Sequence, residues 1–369
     1  PKGSSVTRPT PLESQEALWR LVERAAGSIY REAQIDSRLR VYWEEMDVRG
    51  TAYALLSLVK FGQSKDSLLV QGGITWLLEQ LNTESVAGNH KGDSWEAQVW
   101  DTALGLTAYK RVKGATLHEV ERYLDYVREL NHRAVNWHDE VWETCFAMTA
   151  MLEDSGTTST FDYPWLLKCL EWLSRQIRHD DDERDGSVQD SFHYTALYLR
   201  LRCRVSQLAG QGRLHHLPSQ QRSDLQSIPE ECVGFLVRGL EKDEHLWTGE
   251  VWANSYCLMA LIECNRFPVE YEDKCINWFA KHVSSGGDFG SVEDTSLAGE
   301  ALYALYCARQ KRRLRDPANF DELLEKAAMQ RPSGDAGVIM DQELIVVPPR
   351  LATRRPTGDV VVYLSVETQ

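Results

Sequence analysis

The chain lacks the paired cysteines of a zinc ribbon or a redox motif. Its eight cysteines are Cys145, Cys169, Cys203, Cys232, Cys257, Cys264, Cys275 and Cys307, with no CxxC among them. Most stand among apolar residues at helical spacing, so buried free thiols in a reducing, cytoplasmic setting are expected. No apolar run approaches the roughly 20 residues that cross a bilayer, so no transmembrane segment is expected. No signal-peptide pattern stands near the first residue. That residue is Pro1, which sets the expectation of a piece of a larger protein whose other domains are partners. Basic residues are outnumbered, with 41 Lys and Arg against 55 Asp and Glu, and the net charge is -14. That balance argues against a nucleic acid or an anionic membrane as partner.

What is present is apolar material for a large core. Hydrophobic residues make up 43% of the 369, with twelve tryptophans that need either a core or an aromatic-lined pocket. It is also organised. Six stretches place acids and aromatics ahead of a small hydroxyl residue and then run into an Ala/Leu/Tyr-rich helix. They are "EEMDVRGTAYALLSLVKFG", "EAQVWDTALGLTAYKRV", "DEVWETCFAMTAMLED", "VQDSFHYTALYLRLRCR", "TGEVWANSYCLMALIEC" and "DFGSVEDTSLAGEALYALYCARQ". Their anchors, Thr51, Thr102, Thr144, Thr195, Ser255 and Thr295, recur every 40 to 60 residues, the period of helix-pair repeats.

Between them lie six amphipathic segments, the first "ESQEALWRLVERAAGSIYRE" and the third "LHEVERYLDYVREL". A helix apolar nearly all round must be enclosed. Enclosed helices alternating with half-exposed ones predict an all-α fold, an (α/α)6 toroid or barrel of six helix pairs over residues 15–330. Residues 1–14 are expected to be a disordered lead-in. Residues 331–369 are expected to be a C-terminal extension with a β-hairpin, from "GVIMDQELIVVPPRLA" and "GDVVVYLSVETQ". The stretch at 205–227 reads as a surface loop.

Parallel inner helices gather their N-termini at one electropositive mouth. Directly before the anchors come Gly50, Asp101, Glu143, Tyr194, Asn254 and Asp294; one step earlier come Arg49, Trp100, Trp142, His193, Ala253 and Glu293. With Trp252 and Phe192 a step further back, the prediction is one ring of acids and aromatics around a cavity. Helix capping explains the acids equally well, and core packing the tryptophans.

"QVWDTALGL", "SVEDTSLAGEALYAL" and "MDVRGTAYALLSL" resemble segments of the terpenoid cyclase/protein prenyltransferase superfamily, squalene-hopene cyclases among them. The resemblance implies a cyclase that protonates an isoprenoid substrate, with Glu293 as general acid and Asp294 as its orienting neighbour. Ser291 stands where the family's motif has its first Asp. Trp100, Trp142, Trp252 and Phe192 would then stabilise the cation. Arg49 would contact substrate, and Asp101 and Glu143 would be secondary polar groups. The prenyltransferase branch implies zinc on Glu143, Cys145 and His193. A DDxxD pattern at Asp181, Asp182 and Asp185 implies Mg2+. The same barrel also carries sugar-cleaving enzymes. A toroid that has lost its chemistry serves as a ligand-sensing or protein-docking module.

Overall fold

The computed structural model describes residues 11–44, 47–80, 99–114, 127, 136–152, 163–179, 183–212, 217–242 and 245–315. Within them the chain is mostly helical. The six anchor stretches form α2 (Val48–Lys60), α4 (Val99–Lys113), α5 (Val141–Leu152), α7 (Phe192–Gly210), α10 (Val251–Glu263) and α12 (Val292–Arg315). The amphipathic stretches form α1 (Pro11–Glu32), α3 (Leu68–Glu79), α6 (Tyr163–Ser174), α9 (Glu230–Lys242) and α11 (Glu272–His282). Only Val127 of the segment at 117–130 is among the described residues, and the expected C-terminal hairpin lies outside them.

The anchor helices pack in a cycle: α2 on α4, α4 on α5, α5 on α7, α7 on α10, α10 on α12, and α12 back on α2. The amphipathic helices pack against these, α1 on α12, α3 on α2 and α4, α6 on α5, and α9 on α7 and α10. The two sets differ as their sequences require. In α10 the run Ala253 to Leu261 is buried throughout, whereas α9 buries Cys232, Val233, Phe235, Leu236, Gly239 and Leu240 along one side.

Three features depart from the sequence-based expectation. α1 begins at Pro11, four residues ahead of the boundary that periodicity places at 15. A two-stranded hairpin, β1 (Gln34–Ile35) with β2 (Val41–Tyr42), stands where no strand is expected. The Asp36 carboxylate accepts the Arg38 and Arg40 N–H groups and closes its turn. The stretch at 205–227 is not one loop. α7 continues to Gly210, and α8 (Ser219–Gln226) packs back on it. Leu217 and Leu225 are buried there, and Arg202 donates to the carbonyls of Asp224 and Ser227.

Five cysteines are buried free thiols as expected and Cys307 is a half-buried one; Cys203 and Cys264, 61 positions apart, form a disulfide. Its presence takes away the cysteine argument for a reducing compartment. No described helix is long and apolar enough to cross a membrane.

Candidate functional site

The anchor hydroxyls have a shared structural task. The N–H groups of Trp43, Trp137, Val188 and Phe289 donate to Thr51, Thr144, Thr195 and Thr295, at 3.1, 3.1, 2.8 and 3.0 Å. Thr144, Thr195 and Thr295 in turn donate to the carbonyls of Glu140, Ser191 and Ser291. Each anchor therefore ties a buried loop residue to the first turn of its helix. Left-handed residues such as Glu44, Asp139, Asp190 and Gly290 turn the chain between the two points. In the fifth repeat the acceptor is Asn254 rather than Ser255, taking the Thr248 N–H at 2.9 Å. Capping falls to other residues: Asp47, Ser191 and Ser291 accept the N–H groups of Gly50, Tyr194 and Asp294.

This register explains which side chains line a shared cavity. The residue two positions before each loop-tying residue, Arg49, Trp142, His193, Trp252 or Glu293, lines one cavity of about 350 Å³. Trp100, two before Thr102, lines it as well. The shift to Asn254 is the reason that Trp252, not the buried Ala253, is the lumenal residue of the fifth repeat. Phe146, Tyr194, Leu197, Ser291 and Asp294 complete the walls, with Tyr53 and Tyr256. All six anchor helices present their first turns here.

The walls are mostly aromatic. The Trp100 and Trp142 rings meet edge to face at 5.1 Å, Trp100 lies 6.1 Å from Phe146, and His193 lies 4.8 Å from Trp252. Arg49 stacks its guanidinium over Trp100 at 4.5 Å, with Nε 3.5 Å from the Asp101 carboxylate. His193 shares a hydrogen bond with the Ser191 hydroxyl at 2.9 Å, and burial pulls its pKa down to about 4, so the imidazole is neutral near pH 7.

Glu293 is the titratable group whose environment matters most. Burial pushes its pKa up to about 7; Arg49 opposes this, while Asp294, Glu44 and Asp47 add to it. With a pKa near 7 the carboxyl is about half protonated at neutral pH, where an ordinary glutamate is ionised. Asp294 accepts from the Ser291 hydroxyl at 3.0 Å, and its charge adds to the raised pKa of Glu293.

Other predicted site residues are placed elsewhere. Phe192 stacks on Phe235 at 4.5 Å, against Gly239, where a Cβ would meet its ring at 2.7 Å; it belongs to the contact with α9 and does not line the cavity. Asp101 is fully buried beneath Arg49, and Glu143 pairs with His138 at 2.7 Å. The zinc set is not assembled. Cys145 lines a separate cavity and its thiol is pushed up by burial, while Glu143 and His193 hold partners of their own. Among the described residues no three His, Cys, Asp or Glu side chains could together hold a metal ion. Asp181 and Asp182 lie outside the described residues; the carbonyl of Asp185 accepts from Arg238 of α9.

Sequence reading missed Tyr53, Phe146, Tyr256 and Glu44. The first three stand one or two residues after an anchor, so a search for polar residues ahead of the anchors passes over them. The Glu44 carboxylate accepts the Val292 N–H at the start of α12 and presses against Gly50, contacts that no sequence pattern announces. The chain matches no family model and no curated protein.

Proposed function

We propose that the helices form an (α/α)6 toroid of the terpenoid-cyclase type, and that the aromatic cavity carries out protonation-initiated cyclisation of an isoprenoid. The cycle of helix contacts and the shared direction of the six first turns support the toroid. One observation carries the chemistry: Glu293, whose raised pKa of about 7 leaves a substantial protonated fraction near neutral pH, faces a cavity walled by Trp100, Trp142, Trp252 and Phe146. The Glu293 proton adds to a terminal alkene carbon, whose π pair forms the new C–H bond. The cation on the adjacent carbon is attacked by the next alkene, closing a ring, and aromatic faces stabilise the charge. Loss of a proton to the neutral His193 imidazole ends the sequence, and solvent exchange returns the proton to Glu293. About 350 Å³ is at the lower end of ligand pockets and suits a short isoprenoid better than a triterpene.

A second reading rests on Arg49. Its guanidinium already covers the Trp100 face and disfavours a cation nearby. A binding module for an isoprenoid with an acidic head group would use the same side chain as an anchor. Incubation with farnesyl diphosphate, geranylgeranyl diphosphate and squalene, with and without magnesium, followed by mass spectrometry, separates the readings. A cyclic product that disappears in Glu293→Gln supports the cyclase. Folded protein that binds an isoprenoid, seen by tryptophan fluorescence, and yields no product supports the binding module.

A further inference from the structure

One half-buried carboxyl beside the aromatic cavity has no part in the chemistry proposed above. Glu44 stands in the loop ahead of α2, on a left-handed backbone with φ 46°. Its carboxylate accepts the Val292 N–H at the start of α12 and packs against Gly50 in the first turn of α2. It thereby bridges the sixth repeat to the first.

Capping alone does not account for this contact. Ser291 already caps α12, taking the Asp294 N–H at 2.9 Å. A carboxyl at a helix N-terminus is ordinarily stabilised in its ionised form. The pKa of Glu44 is instead raised, first by burial, with the Val292 N–H opposing and the charges of Asp47, Glu32 and Asp294 adding to it. The chain also makes room for this side chain. Directly before the anchor, the other five repeats carry Asp101, Glu143, Tyr194, Asn254 and Asp294, whereas the first carries Gly50. A Cβ there would stand 2.7 Å from a Glu44 carboxylate oxygen. The two contacts adjoin cavity residues in the chain: Gly50 follows Arg49, and Val292 precedes Glu293.

We propose that Glu44 is a positioning residue for Glu293: it ties the first turns of α2 and α12 together, fixes the spacing of Glu293 from Arg49, and lays a negative charge beside the Glu293 carboxyl. Its role in turnover rests on the cyclase reading; its hold on the Glu293 proton does not. The main charged groups acting on the two carboxyls are Arg49 and Asp47 at the start of α2, Glu32 at the end of α1 and Asp294 on α12. The buried Tyr53 and Tyr256 hydroxyls also feel the Glu293 charge and stay neutral at physiological pH.

The test is a carbon-13 NMR titration of the full chain with labelled glutamate carboxyls, the Glu293 signal being the one that disappears in Glu293→Gln. Glu44→Gln keeps an oxygen for the Val292 N–H and removes the charge. The Glu293 midpoint should then move to lower pH, its proton affinity falling about threefold or more. Glu44→Ala, which loses the contact as well, should move it at least as far, and so should Gly50→Ala, whose Cβ displaces the carboxylate. Where wild type yields cyclic product, the falling limb of the pH–rate profile should move with the midpoint. An unmoved Glu293 midpoint in Glu44→Gln, with the fold intact by circular dichroism, overturns the proposal even if wild type cyclises an isoprenoid. A lowered midpoint with no cyclic product from wild type supports it and removes only the cyclase reading.

Discussion

The hydroxyls of Tyr53 and Tyr256 lie 2.7 Å apart although 203 residues separate them in the chain. The pair joins α2 to α10, and both residues line the aromatic cavity and a second, more charged one. Both rings are buried, and burial raises both pKa values, so the hydrogen bond persists through the physiological pH range. Tyr53→Phe keeps the ring and leaves the Tyr256 hydroxyl without this partner. A loss of about 1–2 kcal/mol in denaturant unfolding is expected. An unchanged midpoint would mean that this hydrogen bond contributes nothing to stability.

Glu293 makes stability pH-dependent in a defined direction. Its folded pKa, about 7, is above the ordinary value of a glutamate. The folded state therefore binds the proton more tightly than the unfolded state. The stabilisation is full below about pH 4 and is lost as pH rises towards 7, by about 3 kcal/mol at most. Gln does not titrate. The melting-temperature difference between Glu293→Gln and wild type should therefore shift in favour of the variant from about pH 4 to pH 8. A pH-independent difference would contradict the placement of Glu293 in a desolvating cavity.

Turnover should follow the same proton. If Glu293 is the general acid, the rate falls about tenfold per pH unit above its pKa near 7. Initial rates of cyclic product across that range provide the measurement, and a flat profile would point to another acid.

Thr144 tests the loop-tying role of the anchors. Thr144→Val preserves shape but strands the N–H of Trp137, a residue with 0% exposure. Unfolding should become easier by about 1–3 kcal/mol. Thr144→Ser keeps the hydroxyl and should lose much less, which urea titration of both variants would show.

Alkylation under denaturing conditions without reductant should modify six cysteines and spare Cys203 and Cys264. Reduction should then lower stability by up to about 4 kcal/mol for a cross-link spanning some 60 residues. Labelling of all eight would show that the two thiols are not paired.

Much of the site was legible in the linear order. A hydroxyl that ties its loop recurs at Thr51, Thr144, Thr195 and Thr295, and the cavity-lining residue stands two positions earlier, so Trp142, His193 and Glu293 could be named together. Phe192 was misassigned for a local reason. It opens α7, yet Gly239 of the outer helix leaves a hollow that its ring fills, and no property of the α7 sequence announces that hollow.

The sequence by itself determined the helical class, the alternation of enclosed and amphipathic helices, and the register of the repeats. These follow from periodicity and hydrogen-bonding groups, which act within a few residues. Tertiary structure alone decided the Tyr53–Tyr256 contact, the disulfide and the raised pKa of Glu293. Each of these depends on distance and desolvation between side chains from different repeats. Such distances are set only when all the helices pack together.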